Sequence, residues 1–115
     1  MERLPLPVIS GNIFKPGEKH IVTGRNREDD PPFTPERFFI QFPADWVIHM
    51  VTIGIRVVIS TPHDGSLFSP DAASSQIDWG TIKPGQEVAV TVEYVGLLDN
   101  VRFAASLLGV RPIRR

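Results

Sequence analysis

Residues 87–94, EVAVTVEY, constrain the fold of this chain more than any other stretch, because apolar and polar side chains alternate along them. Successive residues of a β-strand point to opposite faces of a sheet, so this period of two predicts a strand with one buried face. Pro84 and Gly85 precede it, and proline followed by glycine favours a type II turn. We therefore expect residues 76–82 to pair with residues 87–94 across this turn, and a second apolar strand to follow at 101–108.

The proline and cysteine contents narrow the fold class further. Of 115 residues, 11 are proline and none is cysteine. Proline removes a backbone donor and clashes with the preceding helical turn, so long helices are disfavoured. The absence of cysteine excludes disulfides, thiol nucleophiles and thiolate metal sites. A chain of this length suits one domain, whose stability must come from packing, hydrogen bonds or assembly.

Short apolar stretches separated by turn residues recur along the chain. Residues 33–42 alternate in polarity, and residues 46–60 are rich in β-branched side chains, with Gly54 in the middle. A glycine at that position predicts a bend and two strand segments. Such a pattern is typical of an all-β protein, and we expect an antiparallel β-sandwich, jelly-roll-like, with about six to eight strands and no substantial helix.

Two segments repeat one turn sequence. Residues 15–17 and residues 83–85 both read Lys-Pro-Gly. The match is short, and we interpret it as the same turn used twice rather than as a duplication. The polar residues 25–32 and the long segment 61–75 are expected to be loops.

The termini are expected to lie outside the sandwich. We divide the chain into an extended arm at 1–12, a β-sandwich domain at 13–109 and a basic tail at 110–115. Prolines in the arm limit ladder pairing, and we expect the arm either to pack on its own domain or a neighbouring subunit, or to be a frayed terminus.

Charge and hydropathy argue against two classes of partner. The formal net charge is −1, whereas nucleic-acid binding needs a concentrated basic face. No secretory signal is recognisable at the start, and no apolar run reaches the ~20 residues that span a bilayer. We expect neither a nucleic-acid nor a membrane partner.

No motif of catalysis or metal binding is present. The histidines His20, His49 and His63 form none of the usual ligand spacings, and neither a GxSxG nucleophile motif nor a glycine-rich phosphate loop occurs. The acidic residues 28–30 match no calcium-loop spacing. We expect no enzymatic activity, no cofactor and no metal.

Three aromatic residues have two interpretations. Trp46, Trp79 and Tyr94 could form a sugar-stacking platform, which small β-sandwich modules often carry. Alternatively, all three are core or subunit-contact residues, since no cluster of Asp, Asn and Gln flanks them.

Three segments in order resemble a known group of proteins. They are FTPERFFI at 33–40, ADWVI at 44–48 leading into VTIG at 51–54, and FAASLLG at 103–109. Together they resemble small structural proteins of tailed bacteriophages and related virus-like elements. The resemblance implies a β-sandwich that assembles on or within a virus particle, as a capsid-associated or decoration protein.

The expected function is therefore that of a non-enzymatic virion structural protein, assembled in the host cytoplasm. It would self-associate and bind a major capsid protein or neighbouring subunits. A carbohydrate-binding or host-surface adhesion module is the alternative. The candidate interface residues are Leu4, Leu6, Val8, Phe33, Phe39, Leu67, Phe68 and Arg114.

Overall fold

The fold is a two-layer antiparallel β-structure, seen in a computed structural model that describes residues 2–9, 13–68 and 77–112, with side chains from Pro5 onwards. Eight strands form its two sheets, as the sequence predicted. They are β1 (Glu2–Ile9), β2 (Lys19–Arg25), β3 (Thr34–Ile40), β4 (Trp46–Ile53), β5 (Arg56–Ile59), β6 (His63–Asp64), β7 (Glu87–Tyr94) and β8 (Ala104–Arg111). Within the described residues the helical content is two short 3₁₀ turns, Pro43–Asp45 and Gly65–Phe68.

The two sheets differ in size. One has three strands in the order β1-β8-β3, and the other has five, in the order β2-β7-β4-β5 with β6 also paired to β4. β5 and β6 lie one after the other along the same edge of β4. All strand pairs are antiparallel, which confirms the predicted fold class.

The alternating stretch at 87–94 is confirmed as a strand, but its predicted partner is wrong. In β7 every second residue is buried. β7 pairs with β2 and β4, so it occupies the middle of the larger sheet. Residues 77–82 instead follow the edge of β3, where the N–H of Ile82 donates to the carbonyl of Phe33 at 2.7 Å.

The expected division at Gly54 is also confirmed. β4 ends at Ile53 and β5 begins at Arg56, so Gly54 and Ile55 form a two-residue hairpin loop. Gly54 has a φ of 61°, which suits the first central position of a type II′ turn.

The core lies between the two sheets and is rich in aromatic residues. Trp46 is at its centre, with ring centroids 4.9–5.0 Å from those of Phe14, Tyr94 and Phe103. A second group is formed by Phe38, whose ring lies 5.1 Å from Phe68 and 5.2 Å from Trp79. Aromatic side chains bury a large area each, so these two groups contribute strongly to the hydrophobic stabilisation.

The Lys-Pro-Gly turn is indeed used twice. Gly17 and Gly85 have φ values of 85° and 81°, as the third position of a type II turn requires. In each turn the fourth residue donates its N–H to the lysine carbonyl at 3.0 Å. Its side chain then accepts from the lysine N–H, at 2.7 Å for Glu18 and 2.8 Å for Gln86.

Most of the predicted arm and part of the predicted tail lie in strands. Residues 2–9 form β1, which pairs with β8 along its whole length. β8 continues to Arg111, so two residues assigned to the tail belong to the sheet. The remaining residues of the arm, Met1 and 10–12, and residues 113–115 of the tail lie outside the described residues.

Candidate functional site

The three aromatic residues considered for glycan stacking are all core residues. Trp46, Trp79 and Tyr94 are each more than nine-tenths buried by the chain itself. A sugar needs an accessible ring face, so the proposed platform does not exist on this surface. The second interpretation, in which they are core residues, is the correct one.

Most of the candidate interface residues are also in the core. Leu6, Val8, Phe33 and Phe68 are buried between the sheets, so their side chains cannot contact another subunit in this conformation. Their apolar character stabilises the fold, which is the commoner reason for a buried hydrophobic residue.

The other four candidates divide into two groups. Phe39 is half-buried on the outer face of the smaller sheet with the Arg37 guanidinium 5.9 Å from its ring centre, and Leu67 is exposed. The side chain of Leu4 and the whole of Arg114 lie outside the described residues.

The histidines do not form a catalytic or metal-binding group. The Nε2 atom of His49 lies 2.7 Å from a Glu93 carboxylate oxygen, and His63 Nδ1 lies 2.7 Å from the carbonyl oxygen of Thr61. The ring of His20 packs edge-on against Phe14. Among the described residues no group of three His, Asp or Glu side chains is placed to hold a metal ion.

Several of the exposed apolar side chains lie at one end of the molecule. We call this the apolar end and define it by Phe42, Val95, Leu97 and Leu98. Leu97 is 93% exposed, Leu98 70% and Phe42 67%. Ile13 and Leu67, at the same end, are also exposed. Exposed apolar residues are ordinary when scattered, but a contiguous group marks an interaction surface.

Backbone hydrogen bonds hold the segments of the apolar end together. The N–H of Val95 donates to the carbonyl of Asp45 at 2.8 Å, and the N–H of Asp45 donates to Phe42 at 3.1 Å. The N–H of Leu98 donates to the hydroxyl of Tyr94 at 3.1 Å. The exposed residues are therefore carried by loops that are tied to the ends of β4 and β7.

Phe42 has an unusual backbone conformation. It precedes the 3₁₀ turn with φ 53° and ψ 56°, in the left-handed region. For a bulky residue this conformation costs about 1–2 kcal/mol, and glycine or asparagine would avoid it. Phe42 thus combines backbone strain with an exposed aromatic ring, and such outliers cluster at functional sites.

The opposite end contains a buried polar network that is organised by Asn26. Asn26 is fully buried, and its Nδ2 donates to the carbonyls of Pro31 and Ile82, each at 3.1 Å. Its Oδ1 accepts from Arg111 Nη2 at 3.1 Å. Arg111 also pairs with Asp30 at 3.5 Å. This network satisfies its buried amide and joins the loop after β2 to the end of β8.

Phe42, Val95, Leu97 and Leu98 of the apolar end were not predicted from the sequence. Leu97 and Leu98 stand in a segment with Gly96, Asp99 and Asn100, whose composition marks a loop. Leucines in such a loop do not belong to the alternating pattern of a strand, and this signal could have identified them. The left-handed backbone of Phe42, in contrast, has no signature in the sequence.

No protein-family model, curated protein or solved structure matches this chain. None of its described helices is long and apolar enough to cross a membrane. The function must therefore be argued from the residues of the chain itself.

Proposed function

We propose that this protein is a non-enzymatic structural subunit of a virion, which self-associates and binds a major capsid protein through its apolar end. It would be assembled into the particle in the host cytoplasm. The observation that carries the proposal is the apolar end itself, where Phe42, Leu97 and Leu98 project from loops fixed to the sandwich.

The apolar end has a free-energy cost in the isolated subunit. Exposed leucine and phenylalanine side chains gain hydrophobic free energy only when another surface covers them, at about 25 cal/mol per Å². The strain at Phe42 adds to this cost in the free subunit. A protein partner that covers the apolar end recovers the hydrophobic part of this cost and offsets the strain, and aromatic residues are enriched at the centres of such interfaces.

The virion as the place of assembly is supported by the resemblance of residues 33–109 to structural proteins of tailed bacteriophages. The three segments that carry the resemblance lie in β3, β4 and β8 with their flanking residues. The carbohydrate-binding alternative receives no support, because the three aromatic residues that it needed are buried.

The test exploits the strain at Phe42. Phe42→Asn removes the exposed ring and tolerates the left-handed backbone, so it should raise the free energy of unfolding by up to about 1 kcal/mol. The same change should weaken binding to purified phage capsids at least about tenfold, since a hot-spot residue at the centre of an interface contributes about 2 kcal/mol or more and about 1.4 kcal/mol corresponds to a factor of ten. Chemical denaturation measures the first quantity and co-sedimentation with capsids the second.

Ile55→Asn is the matched control. Ile55 is a fully exposed apolar residue in the turn between β4 and β5, at the other end of the larger sheet. We expect it to leave capsid binding unchanged. The proposal is overturned if the wild-type protein has no affinity for capsids, or if both variants bind as well as the wild type.

A further inference from the structure

The edges of the two β-sheets are a second feature of the molecule that affects how it can assemble. An edge strand presents backbone N–H and C=O groups that can pair with another chain, and natural proteins usually block such edges. The two sheets have four edges, formed by β1, β3, β2 and the β5–β6 pair. Three of these edges are blocked by features of the chain, and one is not.

The edge of β1 is blocked by two prolines. The N–H of Gln41, at the end of β3, donates to the carbonyl of Ala104 in β8. Backbone groups of successive residues in a strand point to opposite sides, so the even-numbered residues of β8 bond to β3 and the odd-numbered ones to β1. Pro5 and Pro7 lie opposite even-numbered residues of β8, so their nitrogens face outward and offer no N–H there. The carbonyl of Pro7 also lies against β2, only 2.5 Å from where a Cβ on Gly24 would be.

Two other edges are covered or short. Residues 77–82 run along β3, where Phe33 and Ile82 exchange hydrogen bonds of 2.9 and 2.7 Å and the N–H of Ile77 donates to Glu36. β5 has only four residues, and its pairing with β4 contains a register shift. A short, irregular edge is a poor template for another strand.

The edge of β2 is not blocked in these ways, although β1 lies against the core side of β2 at Gly24. β2 has seven residues, no proline and no register shift against β7. Hydrogen bonds from Tyr94 N–H to Glu18 C=O and from Asn26 N–H to Gln86 C=O show that even-numbered residues face β7. Ile21 and Thr23 therefore turn their backbone groups to the other side, where the described part of the chain provides no paired strand.

We propose that the edge of β2 pairs with the same edge of a second copy of this chain around a two-fold axis at Ile21. The inference rests on the self-association in the proposed function and deepens it. Ile21 then lies opposite Ile21 of the partner subunit, and Lys19 lies opposite Thr23 of the partner subunit. The two larger sheets become one continuous sheet.

Side-chain chemistry selects a second copy and this register. A two-fold axis at Val22 would place Lys19 opposite Arg25 of the partner subunit, and like charges directly opposite are destabilising. With the axis at Ile21, the Ile21 side chain, which is 62% exposed in one subunit, packs against Ile21 of the partner subunit. Ile21, Thr91 and Met50 are neighbours on the outer face of the sheet, so the pairing makes one apolar row across both subunits.

A single cysteine tests the register, because the chain has no cysteine of its own. In an antiparallel hydrogen-bonded pair the Cα atoms are about 5.5 Å apart, which a disulfide can bridge. Under mild oxidation we expect Ile21→Cys to form a covalent dimer at least about tenfold faster than Ile55→Cys, owing to its high effective concentration. Equal rates for the two variants, or faster linkage by Thr23→Cys, would overturn the proposal.

A proline tests the edge itself. Ile21→Pro removes an N–H that faces away from β7, so no hydrogen bond between β2 and β7 is lost. The edge of β2 then lacks an outward donor, as the edge of β1 does at Pro5 and Pro7. We expect light scattering to show a dimer for the wild type and for Ile21→Val, and a monomer for Ile21→Pro, with unchanged circular dichroism. A folded Ile21→Pro variant that is still dimeric overturns the proposal.

The two proposals can fail separately. Capsid binding by Phe42→Asn reports on the apolar end, whereas crosslinking of Ile21→Cys reports on β2. If capsids bind and Ile21→Cys links no faster than the control, the β2 dimer is wrong and the apolar end stands. If Ile21→Cys links rapidly but wild-type protein does not bind capsids, the capsid-binding function is wrong and the dimer stands.

Discussion

The two Lys-Pro-Gly turns have the same local structure but stand in opposite surroundings. Each has a positive-φ glycine and the same pair of capping hydrogen bonds. Each glycine also donates its N–H to the end of the neighbouring strand, from Gly17 to Tyr94 and from Gly85 to Asn26. The turn is thus determined by its own few residues and repeated where β2 and β7 begin.

The two turns differ in the residue that accepts the hydrogen bond from the turn glycine. At one end it is Tyr94, whose ring packs on Trp46 and whose hydroxyl holds the loop that exposes Leu97 and Leu98. At the other end it is Asn26, which satisfies buried backbone carbonyls and binds Arg111. The same turn therefore stands beside the apolar end in one case and beside a structural polar network in the other.

The largest effect is expected at the polar end. Asn26→Ala removes the donor to the carbonyls of Pro31 and Ile82 and the acceptor of Arg111 Nη2. The Ile82 carbonyl still accepts from Phe33 and Arg111 still pairs with Asp30, so the cost is that of three lost hydrogen bonds, one of them to a charged group. Each contributes about 0.5–1.5 kcal/mol and the charged one more, so we expect a loss of about 2–4 kcal/mol in the free energy of unfolding. Urea denaturation measures this loss.

Arg25→Ala is the control for this prediction. Arg25 is the neighbour of Asn26 and makes an exposed ion pair of 3.3 Å with Glu87. Exposed pairs contribute little, so the expected loss is below ~1 kcal/mol. Equal losses for the two variants would contradict the structural role assigned to the Asn26 network.

A second comparison concerns the two turn glycines. Gly17→Ala and Gly85→Ala both force a left-handed backbone on a residue with a Cβ, at a cost of about 1–2 kcal/mol. A Cβ on Gly17 meets no atom within 4 Å, whereas a Cβ on Gly85 lies 3.1 Å from Glu28 Cγ. Thermal denaturation should show similar losses, slightly greater for Gly85. A loss several times larger at one site would mean that the turns are not equivalent.

The sequence predicted local features well and their partners less well. The alternation at 87–94, the bend at Gly54 and both Lys-Pro-Gly turns depend on residues close together in the chain, and all are confirmed. The partner of β7 depends on which apolar faces meet across the core. Periodicity does not specify that choice, so the expected pairing with residues 76–82 was wrong.

The candidate site was predicted less well for a related reason. Apolar residues in alternating stretches, such as Val8 and Phe33, became core residues because a sandwich buries one face of each strand. The residues of the apolar end are in loops, and their grouping arises only when the ends of β4 and β7 come together.

A smaller effect is expected at Tyr94. Tyr94→Phe keeps the ring against Trp46 and removes the hydroxyl that accepts the hydrogen bond from the Leu98 N–H. We expect a loss of about 1 kcal/mol in unfolding free energy and faster amide hydrogen exchange at Leu98. Unchanged exchange would show that the hydroxyl does not hold this loop, and the apolar end would then be less ordered than we infer.

The smallest effect is expected at Asp64, beside the 3₁₀ turn Gly65–Phe68. The backbone N–H of Ser66 and then its hydroxyl donate to Asp64 Oδ1, each at 2.9 Å, and both hold the pKa of that carboxyl below its ordinary value of 3.8. A carboxyl with a lowered pKa stabilises the fold above its unfolded pKa, and this stabilisation is lost as the pH falls through the folded value. Because Asp64 is exposed, solvent screening limits the contribution to a few tenths of a kcal/mol.

Asp64→Asn should therefore be slightly less stable than the wild type at pH 7, and the difference should shrink as the pH is lowered below about 4. Asp99→Asn, which removes an exposed aspartate at the same end, is the matched control for the change in net charge. Urea denaturation of the three proteins at both pH values measures the effect. A difference that persists unchanged in acid would mean that the Asp64 carboxylate is not what stabilises the turn. The exposed position of Leu67 would then have to be maintained by the packing of Phe68 on Phe38.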